Sequence, residues 1–126
     1  MRANPADLDT RRPSAGTGLS DYWKHILVSS DYQYGCPIAA AAGGHEAPEA
    51  RAIAGEVFAR WERRLVRNAI EHGAPEPVGA GFATMAIASV EGAVVMSIAA
   101  GSVEPIDRVS TQLIELLGHR LRTGRE

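Results

Sequence analysis

Hydrophobic residues recur along this chain in steps of three and four positions, and no stretch alternates with a period of two. The steps of three and four predict helices, and the lack of alternation predicts no β-sheet. Packing of helix against helix is then the only layer arrangement available. Turn and cap residues divide the apolar segments into five. We therefore predict an all-α domain, a bundle of about five helices, over residues 19–122.

The first two predicted helices are short and are bounded by cap and turn residues. Ser20 suits the N-cap of the first helix, which we expect to end near Ser29. Pro37 suits the first position of the second helix, and Gly43 marks its end. Residues 1–18 have no hydrophobic period, so we predict a disordered tail there.

The third predicted helix has one apolar face and one charged face. It begins at Pro48, and Phe58, Trp61 and Leu65 recur on its apolar face. Gly73 marks its end. A helix of this kind packs its apolar face on the rest of the domain and leaves its charged face in solvent.

The fourth predicted helix, 78–100, is apolar almost throughout, with Glu91 as its only charge. A run of this length can span a bilayer. It is rich in Ala, Gly and Ser, however, and no basic cluster flanks it. Because the central helix of a bundle is also apolar all round, we predict a core helix and no membrane contact.

The last predicted helix begins at Pro105 and carries two adjacent apolar stripes, of which its own domain needs one. A spare apolar stripe indicates a partner, and a symmetric pair would join the last two helices of each copy in a four-helix bundle. The carboxylate of Glu91 would then need a partner such as Arg120 or a backbone donor. In the alternative, the chain is a monomer, and its own first helix and tail cover this face. The predicted dimer interface comprises Ile87, Glu91, Val94, Ile98, Val109, Leu113, Leu116 and Arg120.

Large side chains on the earlier helices stand among many alanines and glycines. This combination either encloses an apolar ligand pocket or packs as ordinary core. We predict a pocket for a small ligand. The predicted ligand-binding residues are Trp23, Leu27, Cys36, Phe58, Trp61, Leu65, Met85 and Ser89.

Length, charge and cysteine content narrow the function classes. A chain of 126 residues with a net charge of −2 fits one domain and lacks the basic balance of a general nucleic-acid binder. The basic strip from Arg60 to Arg67 shares its helix with glutamates, which is typical of a solvated face. One cysteine and no apolar run near Met1 favour the reducing cytoplasm.

Catalytic and metal chemistry have little support. Cys36 with His25 or His45 as base would make a small cysteine-dependent enzyme, but no third group is evident to orient the histidine. No two of the four histidines have metal-ligand spacing such as one helical turn. We predict no enzymatic activity, no metal and no cofactor.

Three short motifs follow one another along the chain. They are the run Tyr34-Gly35-Cys36-Pro37-Ile38, the helix with Phe58 and Trp61, and the run Ala88-Ser89-Val90-Glu91-Gly92-Ala93. In order and spacing they resemble the C-terminal domains of TetR-family transcriptional regulators of the LmrA/YxaF type. The similarity covers Leu19 to about Leu121 and includes the final amphipathic helix.

This resemblance implies a regulatory domain that dimerises through its last two helices and binds a small apolar or aromatic effector between the earlier ones. In the family, effector binding changes the spacing of two helix-turn-helix heads and releases DNA. Residues 1–18 are too short and irregular for such a head. We therefore expect DNA contact only through a helix-turn-helix domain absent from this chain, which would be a fragment, a truncated product or a natural headless relative. The remaining alternative is a stand-alone helical protein-interaction module.

Overall fold

The computed structural model describes residues 18–45 and 47–123, and this part of the chain contains helices and no strand. The all-α prediction and the order of five helices are confirmed. The predicted tail lies, apart from Gly18, outside the described residues. The helices are α1 (Gly18–Ser29), α2 (Pro37–Gly43), α3 (Pro48–Glu71), α4 (Glu76–Ala100) and α5 (Glu104–Thr123).

Proline and glycine set the ends of the long helices as the sequence predicts. Pro48 occupies the first turn of α3, where a missing N–H is not needed. Gly73 follows α3 with φ of 98° and Gly101 follows α4 with φ of 61°. Both angles are left-handed, and glycine adopts them without the steric cost that a Cβ brings.

The start of α1 differs from the prediction. The helix begins at Gly18, so Ser20 lies inside its first turn and is buried instead of capping the helix from outside. Two consecutive left-handed residues, Asp31 and Tyr32, follow the helix and turn the chain. The Tyr32 N–H closes this turn by donating to the Leu27 carbonyl at 2.7 Å, which packs the Tyr32 ring on the core.

Helix α4 is the centre of the bundle, packed against α3, α5 and α1, while α2 packs on α3. Buried small residues such as Ala83, Ala86 and Ala93 let the neighbouring helices approach it closely. Within the described residues, α4 is the one helix long and apolar enough to cross a membrane by length and composition. Contact with three other helices gives this composition a structural reason inside the domain.

The main core lies where α1 crosses α4 and α5. Leu27 and Ile106 are its most deeply buried large side chains, with 0 % and 1 % of their surface exposed. Side chains in such positions contribute most of the burial that stabilises a domain of this size. The buried members of the core are Trp23, Leu27, Cys36, Val90, Ala93, Val94 and Ile106.

Two adjacent residues of α1 test this packing. We expect Leu27→Ala to lower the free energy of unfolding by about 2–5 kcal/mol, because it leaves a cavity in the core. Val28 is 61 % exposed, so Val28→Ala is expected to cost less than about 0.5 kcal/mol. Urea unfolding at one fixed protein concentration measures both values. Equal losses would contradict the placement of α1.

Candidate functional site

An apolar cavity with two adjoining lobes lies on one side of α4, between α1, α3 and α5. We call it the inner cavity. Its lobes share the side chains of Leu19, Leu65 and Val90. The first lobe has a volume of about 110 Å³ and extends to Leu117 and Leu121 on α5. The second has a volume of about 260 Å³ and lies between α1, α3 and α4.

The second lobe combines an aromatic wall with a carboxyl group. Trp61 of α3 lines it, and Phe58 packs edge to face on the Trp61 ring with 5.5 Å between centroids and an interplanar angle of 83°. Ile87 and Glu91 of α4 line the opposite wall, and the exposed Arg64 lies on the α3 side. The lobe therefore offers apolar contact and one strong acceptor.

Glu91 is held in an environment that penalises its charge. Its Oε2 atom is buried and has no hydrogen-bond partner among the described residues. Burial raises the pKa of the Glu91 carboxyl, and the neighbouring Cys36 thiol opposes this rise by hydrogen bonding to it. The carboxylate thus lies in the wall of the cavity with part of its bonding capacity unused.

Cys36 is buried between the α1–α2 loop and α4. Burial raises the pKa of its thiol, the backbone near Ala39 opposes the rise, and the Glu91 carboxylate adds to it. The net shift is upward, so the thiol stays protonated. A protonated, buried thiol is the opposite of the activated thiolate that a cysteine nucleophile requires.

Polar groups of the first lobe are few. Asn68 and His72 line it from the end of α3, with His72 Nδ1 2.8 Å from the Asn68 carbonyl oxygen, and Ser20 lines it from α1. In the described ranges, 18–45 and 47–123, no three His, Cys, Asp or Glu residues are grouped so that they could hold a metal ion. The lobe is suited to apolar contact.

Four of the predicted ligand-binding residues belong to this site. Trp61 and Leu65 line the inner cavity directly. Phe58 supports the Trp61 ring, and Cys36 lies behind the Glu91 carboxylate. The structure therefore brings these four residues together on one side of the bundle, and their role in ligand binding stays a prediction.

The other four predicted ligand-binding residues lie elsewhere. Trp23 and Leu27 are buried members of the main core and line neither lobe, because α1 turns them toward α4 and α5. Met85 and Ser89 line a groove on the opposite side of α4. We therefore leave these four out of the ligand site.

Two open grooves between α4 and α5, with volumes of about 400 and 350 Å³, form the second surface of interest, which we call the outer face. Met85 and Leu116 line both of its grooves. Exposed residues, among them Gly92 and Met96, continue the same line along α4 in steps of three and four. Residues lining the outer face are Pro77, Val78, Gly81, Phe82, Met85 and Ser89 of α4 with Arg108, Val109, Gln112, Leu113, Leu116 and Arg120 of α5. Phe82 and Leu113 also line the first lobe of the inner cavity.

The predicted dimer interface therefore falls into two halves, one on α5 and one on α4, which the structure places differently. Its α5 half, Val109, Leu113, Leu116 and Arg120, lines the outer face. Its α4 half does not. These four α4 residues are Ile87, Glu91, Val94 and Ile98.

Each α4 residue of that half points away from the outer face. Val94 is 1 % exposed in the core, and Ile87 and Glu91 line the inner cavity. Ile98 packs beside Gly35, toward the loop before α2. Ile98 keeps 36 % of its surface exposed, whereas Val94, Ile87 and Glu91 are turned into the domain. On the outer face, α4 presents Met85 and Ser89 instead.

The expected pairing of Glu91 with Arg120 is also corrected. Arg120 lies in the outer groove near Pro77, on the other side of α4 from Glu91. A contact between α4 and α3 shows the direction in which Glu91 faces. Thr84 precedes Glu91 by seven residues, which is two helical turns, and its Oγ1 donates to Glu62 of α3 at 3.0 Å. This face of α4 is turned toward α3.

The five helices, with a cavity between them and an apolar face outside, form the all-α bundle that the resemblance implies. Comparison with known families agrees: residues 15–112 match the family described as "Transcriptional regulator LmrA/YxaF-like, C-terminal domain". The chain belongs to the TetR family of transcriptional regulators, in its LmrA/YxaF-like branch.

Two relatives from Mycobacterium tuberculosis are 33 % identical to this chain over 106 residues. They are the "Uncharacterized HTH-type transcriptional regulator MT0206" of strain CDC 1551 / Oshkosh and the "Uncharacterized HTH-type transcriptional regulator Rv0196" of strain ATCC 25618 / H37Rv. The similarity covers 79 % of this chain and 55 % of each relative, so the chain spans about half their length. No solved structure matches.

The environment of Glu91 predicts a particular pH dependence of stability. The pKa of Glu91 in the folded state is raised above the ordinary 4.5. At a pH above this folded-state pKa, the ionised carboxylate therefore lowers the free energy of unfolding. At a pH below the pKa of the unfolded state, Glu91 is protonated in both states and this loss of stability disappears. We expect Glu91→Gln to raise the urea midpoint at about pH 8 and to lose this advantage as the pH falls toward about 4.5.

Glu56→Gln on the exposed surface of α3 is the matched control and is expected to change neither value. A lower midpoint for Glu91→Gln at about pH 8 would mean that the surroundings stabilise the carboxylate, against the environment described here.

Proposed function

We propose that this domain senses a small effector and pairs with a second copy of itself, as the regulatory part of a TetR-like transcriptional regulator. One observation carries the proposal: α4 has the second lobe of the inner cavity on one side and the outer face on the other. A single rigid helix thus joins a candidate ligand site to a candidate interface.

The lining of the inner cavity supports an apolar or aromatic effector. Leucine, valine and isoleucine side chains and the Trp61 ring make up most of both lobes, and only a few polar groups project among them. Small-ligand sites have this composition, with apolar walls for affinity and isolated polar groups for orientation.

The outer face supports symmetric pairing through α4 and α5. Gly81 and Gly92 of α4 have open space where a side chain would begin, so a helix of the second copy has room for close approach. Met85 and Leu116 offer apolar contact beside them. Two copies joined here form a four-helix bundle, an isologous interface of the commonest symmetry.

In this proposal, an effector between α3 and α4 shifts α4 and with it the relation of the two copies. Movement of helices at a subunit interface is a common way to couple two sites. DNA contact would come from a helix-turn-helix unit outside the five helices described here, consistent with the names of the relatives. We place the activity in the cytoplasm and assign no catalysis, given the protonated thiol of Cys36.

A charged side chain introduced on α4 tests whether two copies pair through the outer face. Ala88 is exposed on α4, three residues after Met85. We expect the wild-type domain to be a dimer by light scattering. Ala88→Arg is expected to raise the dimer dissociation constant by at least about a hundredfold, because an unpaired charge would be buried at the contact.

Ala52→Arg is the matched control, since Ala52 is equally an exposed alanine of a long helix but lies on α3. It is expected to leave the dimer intact. A wild-type monomer, or a dimer that only Ala52→Arg disrupts, would refute pairing through the outer face; a wild-type monomer that binds another protein there would favour an interaction module instead.

A further inference from the structure

We infer that the effector is an apolar or aromatic molecule carrying a protonated amine, which the Glu91 carboxylate binds in the second lobe of the inner cavity. The inference rests on the proposed function, since it names the ligand class of the proposed effector site.

The carboxylate of Glu91 is the strongest acceptor in the lobe, and its Oε2 is buried without a partner. An ionised carboxylate accepts hydrogen bonds and donates none, so the missing group must be a donor. The neighbouring Cys36 supplies one thiol proton, which is a weak donor. A ligand N–H in the lobe supplies this donor once the Glu91 side chain turns its buried Oε2 toward the lobe.

The charges around Glu91 favour a cation over a neutral donor. The two ion pairs found among the described residues, Lys24 with Asp107 and Arg108 with Glu104, leave Glu91 out. Arg64 lines the same lobe but is exposed and makes no ion pair with Glu91 in the described part of the chain. A buried carboxylate is strongly stabilised when an opposite charge arrives with hydrogen bonds.

The walls of the lobe determine the rest of the molecule. Trp61 offers an aromatic ring beside the carboxylate, and such rings attract ammonium groups as well as hydrocarbon. Leu65 and Val90 extend the apolar wall into the first lobe. A carboxylic acid of the same shape would be repelled by Glu91, so the site discriminates by charge as well as by size.

Three compounds that share one ring system separate the contribution of the charged amine from that of a neutral donor and of the apolar ring. They are naphthylmethylamine, naphthylmethanol and methylnaphthalene. Calorimetric titration at about pH 7 is expected to show that the wild-type domain binds the amine most tightly. Glu91→Gln should weaken amine binding by about ten- to a hundredfold and change binding of the other two compounds by less than about twofold. The control Glu56→Gln should change none.

A second variant separates failure of this inference from failure of the proposed function. Trp61→Leu should weaken all three compounds if they occupy the inner cavity. Binding that is sensitive to Trp61→Leu, but equal for the three compounds and unchanged by Glu91→Gln, would overturn the amine inference and leave the effector site standing. Absence of binding by the whole series would overturn both. Thermal unfolding of each variant verifies that it is folded.

Discussion

Helix α4 carries apolar side chains around its whole circumference, and the other helices are arranged by the need to cover it. Its deeply buried side includes Val90, Ala93 and Val94, which pack with α1 and α5. Its flank with Glu91 and Ile87 turns to α3 and bounds a cavity. Its outer line of small and methionine side chains borders the grooves shared with α5, and Gly81, Gly92 and Met96 on this line are exposed. An uncovered apolar strip on the central helix favours association, and on this ground we assign it to a second copy.

The cavity follows from the same constraint. Small residues on α4 let α3 and α5 approach, but the bulky Trp61 and Leu65 on α3 keep the helices from closing over the whole length. The space that remains is mostly apolar, with the Glu91 carboxyl and Arg64 at the second lobe and a few polar side chains at the first. A buried carboxylate with an unused oxygen destabilises the fold, and on this ground we propose that Glu91 binds the effector. Glu91 is therefore the residue that links the packing of the domain to its proposed specificity.

Much of the fold could be predicted from the sequence because its signals are local. Pro48 and Gly73 bound α3, and a clear apolar phase places Trp61 and Leu65 on the cavity side. The phase of α4 could not be predicted in the same way, because a helix that is apolar all round has no polar face to orient it. This is why Met85 and Glu91 were each expected on the side the other occupies. Tertiary contacts with α3, such as the hydrogen bond from Thr84 to Glu62, fix that rotation.

The central claim is that opposite sides of α4 serve a ligand and a second copy of the chain. A crystal structure grown with naphthylmethylamine tests it most directly. The account predicts ligand density beside Glu91 and Trp61, and a two-fold related copy packed on Met85 and Leu116. A second copy covering the inner cavity, or a ligand bound on the outer face, would contradict it.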